Sequence, residues 1–268
     1  MWIFESTSAG ASKCILMSNS SEKLKTFVVF GASGGIGSRV TQDLLDAGHR
    51  VLAASRNPEK ISLERRDTNC LKLHAISLDS PDSFQAAVDS ATNEWDRVDG
   101  IVNCIGGLLL KPAHATSLDE WNNQILIHLT SSFLVMQAGI NALKTSKGSL
   151  VFISSIAASR GLMNHEAVAA AKAGIEGLVR SAAATYAPSG VRINAVAPGL
   201  VDTPMTQSIF SSEIMHKASV AMHPLNRTGT PDDISSAICW LLDSRQSWMT
   251  GQVIHVDGGM SAVQSRNR

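Results

Sequence analysis

Seven residues, Gly31-Ala32-Ser33-Gly34-Gly35-Ile36-Gly37, follow the apolar run Thr26–Phe30 and open an amphipathic stretch, 35–47, that Gly48 ends. A glycine-rich turn between a buried strand and a helix constrains this chain more than any other segment. Glycines let the backbone turn tightly and approach a neighbour or a ligand closely. The helix N-terminus behind them offers unpaired N–H groups and a partial positive charge, which suit a pyrophosphate. Without a ligand the same residues would make only a tight connection, so the surrounding pattern decides the reading.

That pattern is regular. Apolar runs at 49–55, 70–78, 98–104, 149–154, 191–196 and 252–256 read as further strands. Segments 81–95, 118–144, 164–186 and 232–242 read as helices, the first opened by Pro81. Strands that alternate with helices imply a parallel sheet covered on both faces. The expected class is α/β, a doubly wound parallel sheet of about seven strands in three αβα layers. No repeat or low-complexity linker follows residue 25, so 26–268 reads as a single domain.

Residues 1–25 read as a flexible extension. Ser6, Thr7, Ser8, Ser12, Ser18, Ser20 and Ser21 make it Ser/Thr-rich, but it has no Arg and weak amphipathic spacing. A disordered segment, or translation from Met17, is favoured over an organellar transit peptide. No apolar signal region is present, and the apolar runs look too short to span a bilayer.

Composition excludes several function classes. The formal net charge is zero and no Lys/Arg block occurs, which argues against nucleic-acid or membrane partners. Cys14, Cys70, Cys104 and Cys239 form no CxxC pair and no zinc-spaced cluster, so neither a metal site nor a disulfide framework is expected. A reducing, cytoplasmic compartment fits. Hydrophobic residues at 44% and charged residues at 17% suit a globular domain with a sizeable core.

The spacing GxxxGxG at Gly31, Gly35 and Gly37 resembles the short-chain dehydrogenase/reductase family, in its β-ketoacyl-carrier-protein-reductase-like branch. Asn103-Cys104-Ile105-Gly106, Pro198-Gly199-Leu200-Val201-Asp202-Thr203 and Asp257-Gly258-Gly259 resemble further motifs of that family, in the right order. The resemblance implies a Rossmann-type NAD(P)-binding domain. Gly31, Ser33, Gly35, Ile36 and Gly37 would hold the diphosphate and ribose. Asp79 would touch the adenine, unless it only caps the helix at Pro81. Asn103, Gly106 and Lys172 would meet the nicotinamide-side ribose, and Pro198, Gly199, Val201 and Thr203 the carboxamide. After the second strand, where an NAD site keeps a carboxylate, the chain reads Ala54-Ser55-Arg56. A hydroxyl and a guanidinium suit a 2′-phosphate, so NADP(H) is favoured over NAD(H).

The family's chemistry uses a Ser thirteen residues before a Tyr, and a Lys four after it. Here Ser155 and Lys172 stand at those places, but the tyrosine position holds Val168. A helix Asn of the family, seven residues after Trp121, is His128 here. Tyr186, the sole tyrosine, lies about 27 Å along the same helix and is too far away to substitute. The missing element is a general acid, typically a contribution of about 10²–10⁴ in rate. His165, three residues before Val168 on one helix face, is the candidate proton donor, and His128 at the relay position could pass protons, imidazole being suited to proton transfer near neutrality. Each could instead be structural, His165 as a cap or a solvent-facing residue and His128 as a satisfied buried group.

The expected function is therefore an NADP(H)-dependent oxidoreductase acting on a carbonyl/alcohol pair with atypical catalytic residues. A non-redox enzyme (isomerase, dehydratase or lyase) and an NADPH-binding regulatory protein are the alternatives. Residues 204–225, with Met205, Ile209, Phe210, Ile214, Met215, Val220 and Met222, read as an apolar lid over a small apolar substrate. The two long helices resemble those that pair subunits in this family, which implies a homotetramer or homodimer.

Overall fold

The computed structural model describes residues 24–63 and 69–263. Seven strands form one parallel sheet: β1 (Thr26–Phe30), β2 (Arg50–Ser55), β3 (Leu71–Ala75), β4 (Gly100–Asn103), β5 (Ser149–Ile153), β6 (Arg192–Pro198) and β7 (Val253–Val256). Their order is β3-β2-β1-β4-β5-β6-β7. The sheet reverses its direction of growth between β1 and β4, and a crevice opens there at the carboxyl ends of the strands.

Alternating strand residues serve opposite layers. Val28 and Phe30 of β1 pack with α2 (Asp82–Trp95), α4 (Ser131–Ser146) and α5 (Glu166–Tyr186). Phe27 and Val29 pack with α1 (Gly35–Asp46) and α8 (Pro231–Leu242) on the other face. Apolar residues on both strand faces are what a doubly covered sheet requires. Phe30 stacks on Phe84 with ring centroids 5.5 Å apart, tying β1 to α2.

Three boundaries differ from the sequence reading, each for a local reason. The long helix is α3 (Leu118–Gln124), a π-helical turn (Ile125–Thr130) and α4, rather than one regular helix. The widened turn carries His128, and such turns gather at functional sites. Helix α5 begins at Glu166, not 164, because Asn164 has φ +63° and His165 takes φ −110°, ψ 11°. The strand expected to reach residue 78 stops at Ala75, followed by a turn bridged from Ser77 to Ser80.

The run Leu118–Ser146 has 29 residues and a peak window hydropathy of 1.4, so one helix among the described residues is long and apolar enough to cross a membrane. This corrects the expectation that every apolar run is too short. Its Val135, Met136, Ile140 and Leu143 are buried against the sheet, as in the core helix of a globular domain. The lid comprises α6 (Gln207–Phe210) and α7 (Glu213–Met222). Most of the N-terminal extension lies outside the described residues.

Candidate active site

Because all seven strands run parallel, the residues just past β1, β4, β5 and β6 meet along one edge of the sheet. The turn after β1 is shaped by glycine. Gly31 has φ +78°, and a Cβ there would lie 2.7 Å from the Cys104 carbonyl carbon. A Cβ on Gly37 would lie 2.3 Å from the Gly31 carbonyl oxygen. Only bare backbone permits α1 to fold back on its own turn. Gly34 caps α1 without a side-chain hydrogen bond, so the first-turn N–H groups stay available to an anion. Ser33 is exposed on this turn.

Other features also fit a nucleotide. Ser55 ends β2, and its buried Oγ has no hydrogen-bond partner among the described residues. A buried hydroxyl left unpaired is uncommon, and a ligand's phosphate or ribose oxygen would satisfy it. Arg56 follows on the surface and forms no ion pair among the described residues. Asp79 is exposed beyond β3 and does not cap α2, whose cap is Pro81. Asn103 is used internally. Its Oδ1 accepts from the Ile105 N–H at 3.0 Å and its Nδ2 donates to Ser132 Oγ at 3.1 Å, which holds the 104–107 loop against α4.

That loop and the lid enclose a cavity of about 700 Å³. The structure brings Gly34, Gly35, Ile36, Gly37, Gly106, Pro198, Gly199, Val201 and Thr203 to its wall, together with Ser155, Lys172, Val168, His165 and His128. Gly31, Ser33, Ser55, Arg56, Asp79 and Asn103 are not part of this wall. Among the described residues, no acidic side chain lines it.

The polar groups inside behave differently from one another. Lys172 is buried on α5 and donates to the Ile153 carbonyl at 2.6 Å. Burial pushes its ammonium down to about 8, opposed weakly by the Cys104 thiol. The Cys104 thiol is itself pushed up to about 12 by burial, so it is not a ready nucleophile. His128 is 2% exposed. Neither ring nitrogen reaches full hydrogen-bond geometry with a partner among the described residues. Burial, and then the Lys172 charge, hold His128 down to about 2 against a weak pull from the Gly107 backbone. It is a neutral imidazole and a poor proton donor. Gly106 makes room for it, since a Cβ there would sit 3.2 Å from the ring.

Ser155 caps the short 3₁₀ turn Ile156–Ala158, its Oγ accepting the Ala157 N–H at 3.1 Å. The hydroxyl proton is left to point at a ligand. His165, half-buried, precedes α5 and offers no side-chain cap, so the capping alternative fails. Its Nδ1 pairs with the Met163 carbonyl at 2.8 Å. A carbonyl only accepts, so Nδ1 carries a proton and Nε2 is the site for exchange. Val168 is 5% exposed between these groups.

Met260 and His223 are among the wall residues that escaped the sequence reading. Met260, 1% exposed, reaches the cavity because Gly258 and Gly259 both turn with positive φ. His223 follows the lid helix and carries no motif that marks it.

This cleft, a glycine turn at a sheet switch point opening onto Ser155 and Lys172, defines a nicotinamide-dependent class of α/β protein. The chain belongs to the short-chain dehydrogenase/reductase superfamily. A family model described as enoyl-(acyl carrier protein) reductase matches residues 31–261. Trans-4-hydroxycyclohexanecarboxylate dehydrogenase of Sinomonas cyclohexanicum is 34% identical over 250 residues, covering 89% of this chain and 93% of the relative. The 3-oxoacyl-[acyl-carrier-protein] reductase FabG of Aquifex aeolicus is 32% identical, covering 88% and 97%. A short-chain dehydrogenase/reductase structure from Mycobacterium ulcerans superposes with a TM-score of 0.83 at 29% identity, covering 88% and 90%.

Proposed function

We propose that this protein is an NADP(H)-dependent oxidoreductase that interconverts a carbonyl and an alcohol on a small, apolar, uncharged substrate. The observation that carries the reading is the shared cavity, in which the glycine turn, Ser155, Lys172 and His165 face one apolar chamber. A bound reduced nicotinamide supplies the hydride. Ser155 Oγ donates to the substrate oxygen. Lys172 uses the donors left free by Ile153 to hold ribose hydroxyls. His165 Nε2 exchanges the proton, and the lid methionines exclude water. His128 occupies the relay position as a neutral hydrogen-bonding group. The protein is proposed to work in the cytoplasm, with unpaired Cys70, Cys104 and Cys239 as support. It is proposed to pair as a homotetramer or homodimer through α4 and α5, where Phe133 is 46% exposed.

The Ser55 hydroxyl and Arg56, neither with a side-chain partner among the described residues, support the phosphorylated cofactor. Arg56→Glu is expected to weaken NADPH binding by about ten- to a hundredfold, the worth of a charge-assisted hydrogen bond, with little change for NADH. Fluorescence titration with both nucleotides reads this. Unchanged NADPH affinity would remove Arg56 from the site.

Charge sets the substrate class. Among the described residues the cavity offers no Arg, and its one Lys is engaged by Ile153 and, in the proposed complex, by ribose. A buried carboxylate without a partner is strongly disfavoured. Methyl 4-oxocyclohexanecarboxylate should therefore exceed the free acid by at least about tenfold in kcat/KM. A preference for the acid would reverse the assignment. A second reading, nucleotide binding without redox turnover, is supported by Val168 alone.

A further inference from the structure

The lid is fastened at both ends to one loop. At its entrance Thr206 Oγ1 donates to the Val201 carbonyl at 2.6 Å and meets Thr203 Oγ1 at 3.1 Å. At its exit stands His223, 2% exposed, immediately after α7. Its Nδ1 pairs with the Ser219 carbonyl at 2.6 Å, in the last turn of that helix. A carbonyl must accept, so Nδ1 carries the proton and Nε2 holds a lone pair. That lone pair accepts the Leu200 N–H at 3.3 Å. The imidazole thus joins the lid helix to the stretch Pro198–Val201 by one bond from each nitrogen.

The loop is built to admit the ring. A Cβ on Gly199 would lie 2.6 Å from His223 Nε2 and 3.1 Å from the Asp257 Cα, so only glycine lets the imidazole seat. The neighbouring backbone bonds serve other purposes. Gly199 N–H donates to the Val256 carbonyl of β7, and the Leu200 carbonyl accepts the Gly229 N–H, which ties the loop to the segment before α8. Leu225 N–H reaches the Gly258 carbonyl at 3.0 Å, which fixes the chain just past the histidine. The link from lid to loop at this end therefore passes through the His223 ring.

We infer that His223 is a positioning residue that couples the lid to the cofactor-facing loop, so that the two order together. This rests on the NADP(H) reading above only where nucleotide binding is measured. The imidazole touches no reacting atom. It sets where Leu200 and its neighbours stand, and it keeps α7 over the cavity.

The test compares His223→Leu, which keeps bulk but accepts no hydrogen bond, with His223→Gln, whose amide oxygen can take the Leu200 N–H. Hydrogen exchange is measured on the full-length protein with and without NADPH, alongside NADPH titration. In the leucine variant, peptides covering 198–201 and 213–222 should exchange faster together, while peptides from β1, β4 and β5 keep their protection. NADPH affinity should fall about five- to tenfold, the net worth of one buried hydrogen bond. The glutamine variant should recover most of both effects. Uniform loss of protection across the sheet would mean that His223 only supports the core. Faster exchange in one segment without the other would break the coupling. Equal behaviour of the two variants would show that the hydrogen bond is immaterial. If the wild type does not bind NADPH, the functional reading fails while the exchange result still decides the role of His223.

Discussion

His165→Ala is expected to slow NADPH-dependent carbonyl reduction by at least about a hundredfold while NADPH affinity stays within about twofold. The other protonatable groups near the substrate position are each accounted for. His128 is held neutral by burial and by Lys172. Both nitrogens of His223 are committed to backbone partners. Burial raises the Cys104 thiol to about 12, and Tyr186 lies at the far end of α5. Lys172 is spent on the Ile153 carbonyl and, in the proposed complex, on ribose. Two wall histidines keep a ring nitrogen free of hydrogen bonds among the described residues, and His128 is buried and held neutral, which leaves His165. Its Met163 bond fixes the tautomer, so Nε2 presents a defined site to the substrate oxygen. Steady-state rates together with nucleotide titration separate chemistry from binding. Turnover equal to wild type would place the proton source elsewhere and sink the assignment.

Val168→Tyr should raise reduction of neutral ketones by about a hundredfold or more, which corresponds to roughly 2.7 kcal/mol off the barrier. Val168 lines the cavity four residues before Lys172 and thirteen after Ser155, so a phenol there would enter open volume between the two. Buried Lys172 would favour the phenolate by its charge, as nearby cations do. The paired comparison with wild type is informative in both directions. A wild type that turns over, and a mutant that turns over faster, supports a histidine working in a site that still suits tyrosine. Turnover by the mutant alone would mean that the pocket accepts carbonyls while the natural chain has given up the reaction, and would favour the binding reading. A mutant that binds NADPH and stays inactive with every ketone would count against carbonyl chemistry in this cavity.

Much of the architecture could be read before the structure was seen. Each strand is a short apolar run bounded by turn residues, and a parallel sheet buried on both faces demands that pattern. Boundaries failed where local backbone chemistry intervened. Asn164 adopts a left-handed conformation, which delays α5 by two residues and leaves His165 just ahead of the helix without a side-chain capping bond. The π turn at Ile125–Thr130 has no signal in apolar spacing, because widening a helix by one residue leaves its composition unchanged.

The site divides in the same way. Glycine positions could be assigned from sequence because their demand is steric and local: Gly31 needs positive φ, and Gly37 has no room for a Cβ. The absence of tyrosine at Val168 was equally plain, since the spacing from Ser155 and to Lys172 is set by one strand end and one helix. The roles of the three cavity histidines were not available from spacing. Sequence favours His165 as proton donor, three residues before Val168, puts His128 at the relay position, and passes over His223. Folding buries the first without partners, ties the second to Met163 with one nitrogen free, and ties the third to Ser219 and Leu200. The chain's own order thus determined the fold class, the nucleotide turn and the missing acid. Only the tertiary structure told the surroundings of the three imidazoles apart, because the burial of His128 beside Lys172 and the bond from Leu200 to His223 join residues distant in sequence.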